Sequence, residues 1–317
     1  MILADYFRYP KDATWDIARQ CGVNHGVIRL PETKEFDLTN ETHWKQVHED
    51  FVNFGIKPVI IEPMPNELHD HIKAGDDKRD ESIEKVIKMF PIMDKLDIRC
   101  ICFNWMAHIG WYRNQTIIER GGARVTGFSL EEFLKEEQKG PGITEKELWD
   151  NYEYFLKAVI PYAEKYGIKL ALHPDDPPMS LGNVARIMTS YENINKAVNG
   201  IVKSDNLGIT LCQATYHIMG EDLYKVIPAL AEKIFFVHFR NSTGTLENFR
   251  ETFHDNGEIK MAEIMKLYKQ CGVDVPIRVD HVPTMLGEDV INQGYDAQGR
   301  LYAIGYLKGI LEAVECK

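Results

Sequence analysis

The stretch that decides the fold is Lys169-Leu-Ala-Leu-His173, a short apolar run that ends on an imidazole side chain. Three later runs have the same form, namely Leu207-Gly-Ile-Thr-Leu-Cys212, Ile234-Phe-Phe-Val-His238 and Pro276-Ile-Arg-Val-Asp280. Each run has the length and the β-branched or aromatic bias of a strand, and each ends on a side chain that can bind a metal. Their intervals are near the roughly 30 residues of a β-α repeat. The pattern therefore predicts parallel strands with donor side chains at their C-terminal ends.

The first half of the chain contains four more strand-like runs, at residues 2–8, 25–30, 57–62 and 99–104. Segments of helical period alternate with the strands, at residues 14–21, 41–54, 79–96 and 145–166. Gly55, Gly167 and Gly272 stand between a helical segment and a strand, where a left-handed residue ends a helix. Eight strands that alternate with helices indicate a closed parallel sheet. We therefore predict an α/β fold, a (β/α)8 TIM barrel that forms one domain over residues 1–317.

The four donors His173, Cys212, His238 and Asp280 would converge at one face of such a barrel, because its strand ends meet there. Taken singly, a buried His or Cys is more often part of the packing than a ligand. Their recurrence at the same strand position favours a metal site, and the mixed donor set suits a borderline divalent ion rather than calcium or magnesium. Four protein donors that complete the coordination sphere are typical of structural zinc, whereas a catalytic ion keeps one coordination position open for water or substrate. Because barrels build active sites at this face, we favour a catalytic ion.

The composition limits the class of partner. The chain has 317 residues and a formal net charge of -11, and nucleic-acid binding requires a basic face, so we expect no nucleic-acid partner. The N-terminus shows no signal-peptide pattern, and no stretch has the roughly 20 apolar residues of a membrane span. The six cysteines have no metal-finger spacing, and we expect reduced thiols. These features predict a cytoplasmic protein that does not bind membranes.

The longest region without a strand or helix pattern runs from about residue 110 to residue 141, after the fourth strand. Loops of this length are uncommon in compact domains unless they are functional or disordered. This region leaves the predicted catalytic face and carries Arg113. We therefore expect a lid or a substrate-contacting loop, with a merely mobile insertion as the alternative.

Polar side chains near the donors are candidates for further roles. Asp175 lies in an acidic, proline-rich turn beside the predicted ion, where it would orient an imidazole or act as an ordinary turn residue. His281 follows Asp280 and faces the mouth only if the strand has already ended; it is then a candidate acid or base. Arg113 and Arg240 are suited to clamp a carboxylate or to form ordinary salt bridges.

Several segments carry a resemblance to a known family. The chain resembles the D-mannonate dehydratases, enzymes with a xylose-isomerase-like barrel, and the resemblance spans nearly the whole chain. The matching segments are Leu172-His-Pro-Asp-Asp-Pro-Pro178, Gly208-Ile-Thr-Leu-Cys212, Val237-His-Phe-Arg-Asn241, Phe249-Arg-Glu-Thr-Phe-His254, Val279-Asp-His-Val-Pro-Thr284 and residues 294–309. Cys102-Phe-Asn-Trp-Met106 and Trp111-Tyr-Arg113 also look like the family's fourth-strand signature.

The resemblance implies metal-dependent dehydration of D-mannonate to 2-dehydro-3-deoxy-D-gluconate in bacterial hexuronate breakdown. It implies a manganese site, with ferrous iron as the alternative, formed by the four strand-end donors. It puts forward His281 and Tyr295 as the acid/base pair without saying which is the base. A sugar acid is the expected small-molecule partner, and a homodimer or higher homo-oligomer is expected. The candidate substrate contacts are Arg113, Asp175, Arg240, Asn241, Glu251 and His254.

The segment after the fourth strand departs from the family pattern. Ala107 and Gly110 stand where the family usually has proline and aspartate, and residues 127–145 form a shorter region than usual. These differences bear on the substrate, so a related aldonate is one alternative. A metal-dependent sugar isomerase or epimerase on the same barrel is another, although such enzymes more often use carboxylate-rich ligand sets than a cysteine. A non-catalytic sugar-acid binding protein is the third.

Overall fold

The computed structural model of the protein describes residues 1–137, 140–289 and 293–315. Its strands are β1 (Ile2–Phe7), β2 (His25–Ile28), β3 (Lys57–Ile61), β4 (Cys100–Phe103), β5 (Gln115–Ile118), β6 (Arg124–Ser129), β7 (Lys169–Leu172), β8 (Leu207–Cys212), β9 (Ile234–His238), β10 (Ser242–Thr245), β11 (Asn248–Glu251) and β12 (Pro276–Arg278). Eight of them close into a parallel barrel in the order β1-β2-β3-β4-β7-β8-β9-β12. The predicted (β/α)8 barrel is confirmed, and each predicted barrel strand agrees with the observed one to within two residues.

Helices alternate with the barrel strands. They are α1 (Ala13–Gln20), α2 (Glu41–Asn53), α3 (Asn66–Ala74), α4 (Arg79–Lys95), α5 (Leu130–Phe133), α6 (Glu145–Tyr166), α7 (Tyr191–Asn195), α8 (Gln213–Ile218), α9 (Leu223–Leu230), α10 (Met261–Gln270) and α11 (Ala297–Glu315). Local sequence sets the ends of α6: Thr144 and Glu147 form a reciprocal capping box, and Gly167 ends the helix with a φ of 64°, as expected. Among the described residues, no helix is long and apolar enough to cross a membrane.

The segments that follow β4 and β9 form a second sheet. β5 pairs with β6, β10 pairs with β11, and β6 joins β11, so the order is β10-β11-β6-β5. The expected irregular loop at residues 110–141 is therefore corrected, since it contains two strands and α5; residues 138 and 139 lie outside the described part of the chain. The partner strands are remote in sequence, with Thr126 and Glu251 in contact across 125 residues, so no local pattern announces the pairing.

The interior of the barrel combines a small apolar cluster with buried charges. Ala4, Val27 and Ile60 belong to the cluster, whereas Arg278 is a buried cation. β12 ends at Arg278, and Asp280 has a left-handed φ of 56°. Because the extended geometry stops there, Asp280 and the residue after it both face the mouth of the barrel.

Candidate metal centre and active site

Three donor side chains converge at the C-terminal end of the barrel. One nitrogen each of His173 and His238 and the sulfur of Cys212 lie within 4.8 Å of one another. Cys212 and His238 end the neighbouring strands β8 and β9 and stand opposite each other in register, and His173 directly follows β7. Nε2 of His173 lies 3.2 Å from Nδ1 of His238. Parallel neighbours that end together thus bring the donors to one point.

In each imidazole, the ring nitrogen that points away from the other donors faces a hydrogen-bond acceptor. Nδ1 of His173 lies 2.6 Å from the carbonyl oxygen of Pro174. Nε2 of His238 lies 3.0 Å from a carboxylate oxygen of Glu62, off the straight line of an ideal hydrogen bond. An acceptor beside Nδ1 of His173 or Nε2 of His238 favours a proton on that nitrogen. The lone pair then lies on the other ring nitrogen, which faces the donor cluster. Metal-binding histidines are oriented in this way.

Asp280 lies next to the three donors and is also held by two arginines. Its Oδ2 atom is 3.4 Å from Nδ1 of His238 and 2.7 Å from Nε of Arg240, and its Oδ1 atom is 2.8 Å from Nη2 of Arg278. Burial raises the pKa of this carboxyl, but the opposing charges, Arg278 first, outweigh burial and hold the pKa well below its usual range. Asp280 is therefore an ionised donor that its arginine partners also hold.

The charges of the cluster suit a cation. Burial raises the pKa of the Cys212 thiol, but Arg240 and His173 outweigh it and hold the pKa well below its ordinary value, as a thiolate ligand requires. Burial and Arg278 lower the pKa of His238, yet Asp280 and Glu62 raise it to about 10. A cluster that draws a proton onto an imidazole offers the same negative surroundings to a metal ion, which displaces that proton on binding.

The donor set therefore fits a divalent metal ion. Two imidazoles, a thiolate and a carboxylate suit a borderline ion rather than calcium or magnesium. His173, His238 and Asp280 line a cavity of about 870 Å³. An ion held there would have a side open to a small molecule, which is the feature that separates catalytic from structural sites.

His281 and Tyr295 form a hydrogen-bonded pair beside the donors, and both line the same cavity. Nε2 of His281 lies 3.2 Å from the Tyr295 hydroxyl, and Nδ1 lies 2.8 Å from Glu251. Trp111 packs edge-on against the imidazole, with 4.9 Å between the ring centroids. Burial, and then Asp280, raise the pKa of Tyr295, so the phenol keeps its proton. The pair can therefore pass a proton between an imidazole and a phenol.

Arg113 and Arg240, the two candidates for a carboxylate clamp, both pair with acidic side chains. Arg113 lies 2.7 Å from both Asp176 and Glu251, and Arg240 makes the same two contacts at 2.7 Å. Burial raises the pKa of Asp176, but the two arginines outweigh it and lower the pKa to about 2. Two buried cations are thus matched by two buried carboxylates, which are the salt bridges that the sequence also allowed, and a role in binding the substrate carboxylate stays a prediction. Arg240 lines the cavity, whereas Arg113 and Glu251 are not among its lining residues.

Three other expected substrate contacts hold the backbone instead, and none of them lines the cavity. Asp175 accepts hydrogen bonds from two backbone N–H groups, each at 3.0 Å. Asn241 donates to two backbone carbonyl groups. Nε2 of His254 lies 2.8 Å from the carbonyl oxygen of Val279, and burial lowers the pKa of this imidazole to about 4. These side chains brace the loops around the site, and their role in substrate contact stays a prediction.

The cavity has polar lining residues that sequence reasoning left out. Arg8, Glu62 and Asn104 line it, together with Arg29 and Lys73. The first three stand at the ends of the strand-like runs 2–8, 57–62 and 99–104. In the second half of the chain, the donors were predicted because each one ends a strand. The same criterion, applied to the first half, predicts these three residues too.

Glu62 links the donors to the charged interior of the barrel. Its two carboxylate oxygens accept hydrogen bonds from Nε and Nη2 of Arg278, at 2.9 and 3.0 Å. Burial raises the pKa of Glu62, but Arg278 and His238 lower it to about 2. The same arginine also contacts Asp280 at 2.8 Å, so one ion-paired unit supports two of the candidate ligands.

The candidate metal donors and the His281–Tyr295 pair stand at the mouth of a (β/α)8 barrel, and the fold is that of the xylose-isomerase-like barrel proteins. The structure of a xylose isomerase domain protein from Planctomyces limnophilus shares this fold, with a TM-score of 0.63 at 10% identity over 99% of this chain and 98% of that one.

A narrower likeness identifies the family. The crystal structure of mannonate dehydratase from Streptococcus suis matches with a TM-score of 0.86 at 25% identity, covering 99% of this chain and 93% of that one. Mannonate dehydratase of Brachyspira hyodysenteriae is 30% identical over 93% of this chain and 92% of its own length. The family model described as D-mannonate dehydratase (UxuA) matches residues 6–140 and 127–317. The chain therefore belongs to the D-mannonate dehydratase family, a family of hydro-lyases.

Proposed function

We propose that this protein dehydrates D-mannonate to 2-dehydro-3-deoxy-D-gluconate, a metal-dependent step of hexuronate breakdown. The observation that carries the proposal is that two groups stand side by side at the wall of one cavity, with His173, His238, His281 and Tyr295 among its lining residues. One is a set of three donors within 4.8 Å of one another, and the other is the His281–Tyr295 pair at 3.2 Å. Membership of the dehydratase family supports the reaction class.

We propose that the ion is Mn²⁺, with Fe²⁺ as the alternative, and that four side chains hold it. The candidate ligands are His173, Cys212, His238 and Asp280. Imidazole and thiolate donors suit several first-row ions, and the family resemblance favours manganese among them. When bound, the ion would supply positive charge that stabilises the negative charge built up as C2 loses its proton.

The proton transfers fall to His281 and Tyr295. We assign the base to His281 because Tyr295 keeps its proton: burial raises the pKa of the phenol. Nε2 of His281 takes the C2 proton, the C–H electron pair becomes the C2–C3 double bond, and the C3–O bond breaks. The departing hydroxyl leaves as water with the Tyr295 proton. The proton on Nε2 then returns to the Tyr295 oxygen across 3.2 Å, and the enol product tautomerises to the 2-keto acid.

A sugar acid suits the charges of the cavity. The chain as a whole is acidic, with a net charge of -11, yet Arg8, Arg29 and Lys73 bring cationic groups to the cavity wall. Lys73 is buried and pairs with Asp70 at 2.9 Å. Among the described residues, five cationic and four acidic side chains line the cavity. Cationic side chains that outnumber the acidic ones at one opening of an acidic protein favour an anionic substrate over a neutral sugar, which supports an aldonate and counts against an isomerase of neutral sugars.

We also propose that the chain forms one barrel domain and that the second sheet covers the mouth of the barrel. We propose further that the protein acts as a homo-oligomer in the cytoplasm. Glu251 of the second sheet reaches His281 at 2.8 Å, which supports the cover. Among the described residues Cys21, Cys100, Cys102, Cys212 and Cys271 are free thiols, which fits a reducing compartment. Analytical ultracentrifugation of the purified protein tests the oligomeric state.

The test of the function is an assay for 2-keto-3-deoxy acid formation from a panel of aldonates, with and without Mn²⁺. Formation of the keto acid from D-mannonate only with the ion supports the proposal. Epimerised or isomerised sugar without loss of water would point to the isomerase alternative, and binding without turnover would point to a sugar-acid binding protein. Full activity after exhaustive chelation would contradict metal dependence. Cys212→Ser is expected to weaken Mn²⁺ binding while the fold is kept.

A further inference from the structure

Glu251 stands where the second sheet meets the proton-transfer pair. It is the last residue of β11, and 4% of it is exposed. Its Oε1 atom lies 2.8 Å from Nδ1 of His281 and 2.7 Å from a guanidinium nitrogen of both Arg113 and Arg240. Its Oε2 atom accepts a hydrogen bond from the Thr126 hydroxyl at 2.7 Å. Four donors from separate segments therefore hold this carboxylate in one position.

The fixed carboxylate decides where His281 carries its proton. A neutral imidazole has one N–H group, and an ionised carboxylate beside Nδ1 keeps the proton on that nitrogen. The lone pair then remains on Nε2, the nitrogen that lies 3.2 Å from the Tyr295 hydroxyl. The same carboxylate also lies beside the positive charge that arises when His281 takes up a second proton.

We propose that Glu251 is a positioning residue that holds His281 as the Nδ1–H tautomer and turns Nε2 toward the substrate. Glu251 does not line the cavity, so it acts through His281 and not by touching the substrate. The second sheet then does more than cover the mouth, because Thr126 and Glu251 come from its two hairpins. This inference rests on the proposed dehydration.

Glu251→Gln tests the role, because the amide is nearly isosteric but carries no charge and can donate to Nδ1. We expect kcat to fall by roughly 10²-fold or more, as for other proton-transfer groups that lose their tautomer, while KM and Mn²⁺ affinity stay unchanged. Glu119→Gln is the matched control, since it makes the same change at another carboxylate that contacts the second sheet, where it pairs with Arg250 at 2.6 Å and does not touch His281. We expect it to keep its turnover. Equal losses in both variants would mean a general structural role and would overturn the proposal.

A double variant separates action through His281 from any other action. In a His281→Phe background, adding Glu251→Gln is expected to cost no further turnover, because the group that Glu251 positions is already absent. An additional loss similar to that in the single variant would overturn the proposal.

The tautomer is also measured directly, without relying on a variant that folds or on turnover. ¹⁵N NMR of the Zn²⁺-loaded wild-type protein, with the signal assigned by comparison with His281→Phe, is expected to show a protonated Nδ1 and an unprotonated Nε2. The opposite tautomer would overturn the inference. A wild-type protein with the expected tautomer but no dehydratase activity would leave the positioning role standing and remove the proposed function.

Discussion

The site has two sides that are built in different ways. The ion-holding side consists of His173, Cys212, His238 and Asp280. The proton-handling side consists of His281, Tyr295 and Glu251. The first side comes from the ends of barrel strands, so the closure of the barrel itself assembles it. The second depends on a sheet that the barrel does not need in order to close. Because different parts of the fold support the two sides, we expect that each side can be disabled without the other.

The largest expected effect is on the proton-handling side alone. His281→Phe and Tyr295→Phe are each expected to cut turnover by roughly 10²–10⁴-fold, the usual contribution of a positioned acid or base, and to leave bound Mn²⁺ unchanged. Exchange of the C2 proton with solvent assigns the roles, because the base variant loses exchange and the acid variant keeps it. Loss of Mn²⁺ in step with turnover would show that the two sides are one unit.

Acid pH is expected to weaken the ion pairs that support both sides of the site, because it protonates their carboxylates. The pKa values of Glu62 and Asp176 are each lowered to about 2, by Arg278 and His238 in the first case and by Arg113 and Arg240 in the second. A lowered pKa stabilises the fold above the ordinary carboxyl range, and this stabilisation is lost as the pH falls toward 2.

The full loss of folding free energy is of order 2–3 kcal/mol for each group, and roughly half of it falls between pH 6 and pH 3. Urea unfolding of the metal-free protein at pH 6 and pH 3 measures it. Glu62→Gln and Asp176→Asn are expected to be less stable at pH 6 and to depend less on pH. A wild-type protein equally stable at both pH values would contradict the role of these pairs.

A smaller effect is expected on the ion-holding side. Glu62→Gln should weaken Mn²⁺ binding by about 10–100-fold, since partners of metal-bound imidazoles contribute at that level. The control is Cys102→Ser, because Glu62, Cys102 and His238 also form a group close enough to hold an ion. Titration calorimetry is expected to show normal affinity for Cys102→Ser. Equal weakening in both variants would mean that this second group holds the ion.

The smallest effect is expected at the surface near the second sheet. Arg120 and Asp255 form two contacts of 2.7 Å, and both residues are partly exposed. Asp255→Asn is expected to lower the free energy of unfolding by less than about 1 kcal/mol, as for most surface pairs, with turnover unchanged. Asp150→Asn removes an exposed pair on α6 and should cost a similar amount. A turnover loss in Asp255→Asn alone would show that the second sheet needs this contact to hold its position.

The barrel was predictable because each strand carries a local pattern, and the donors were predictable because parallel strands bring their ends together. Applied to the first half, the same rule selects Glu62, which contacts His238 at 3.0 Å. The second sheet was not predictable, since β6 pairs with a strand far along the chain. Residue type also failed to separate roles: Asp175 and Asp176 are adjacent, yet the first holds backbone N–H groups and the second pairs with arginines.

The left-handed φ of 56° at Asp280 ties the two sides of the site together. In an extended strand, consecutive side chains face opposite ways, and Asp280 and His281 could not serve one cavity. Because the backbone of Asp280 is left-handed, two consecutive residues, the candidate ligand Asp280 and the candidate base His281, both face the cavity. Few residue types are therefore expected to be tolerated at position 280. Asn and Gly adopt the left-handed backbone with ease, whereas a β-branched residue does not. A substitution such as Asp280→Val would thus remove a donor and misdirect the neighbouring imidazole in one step.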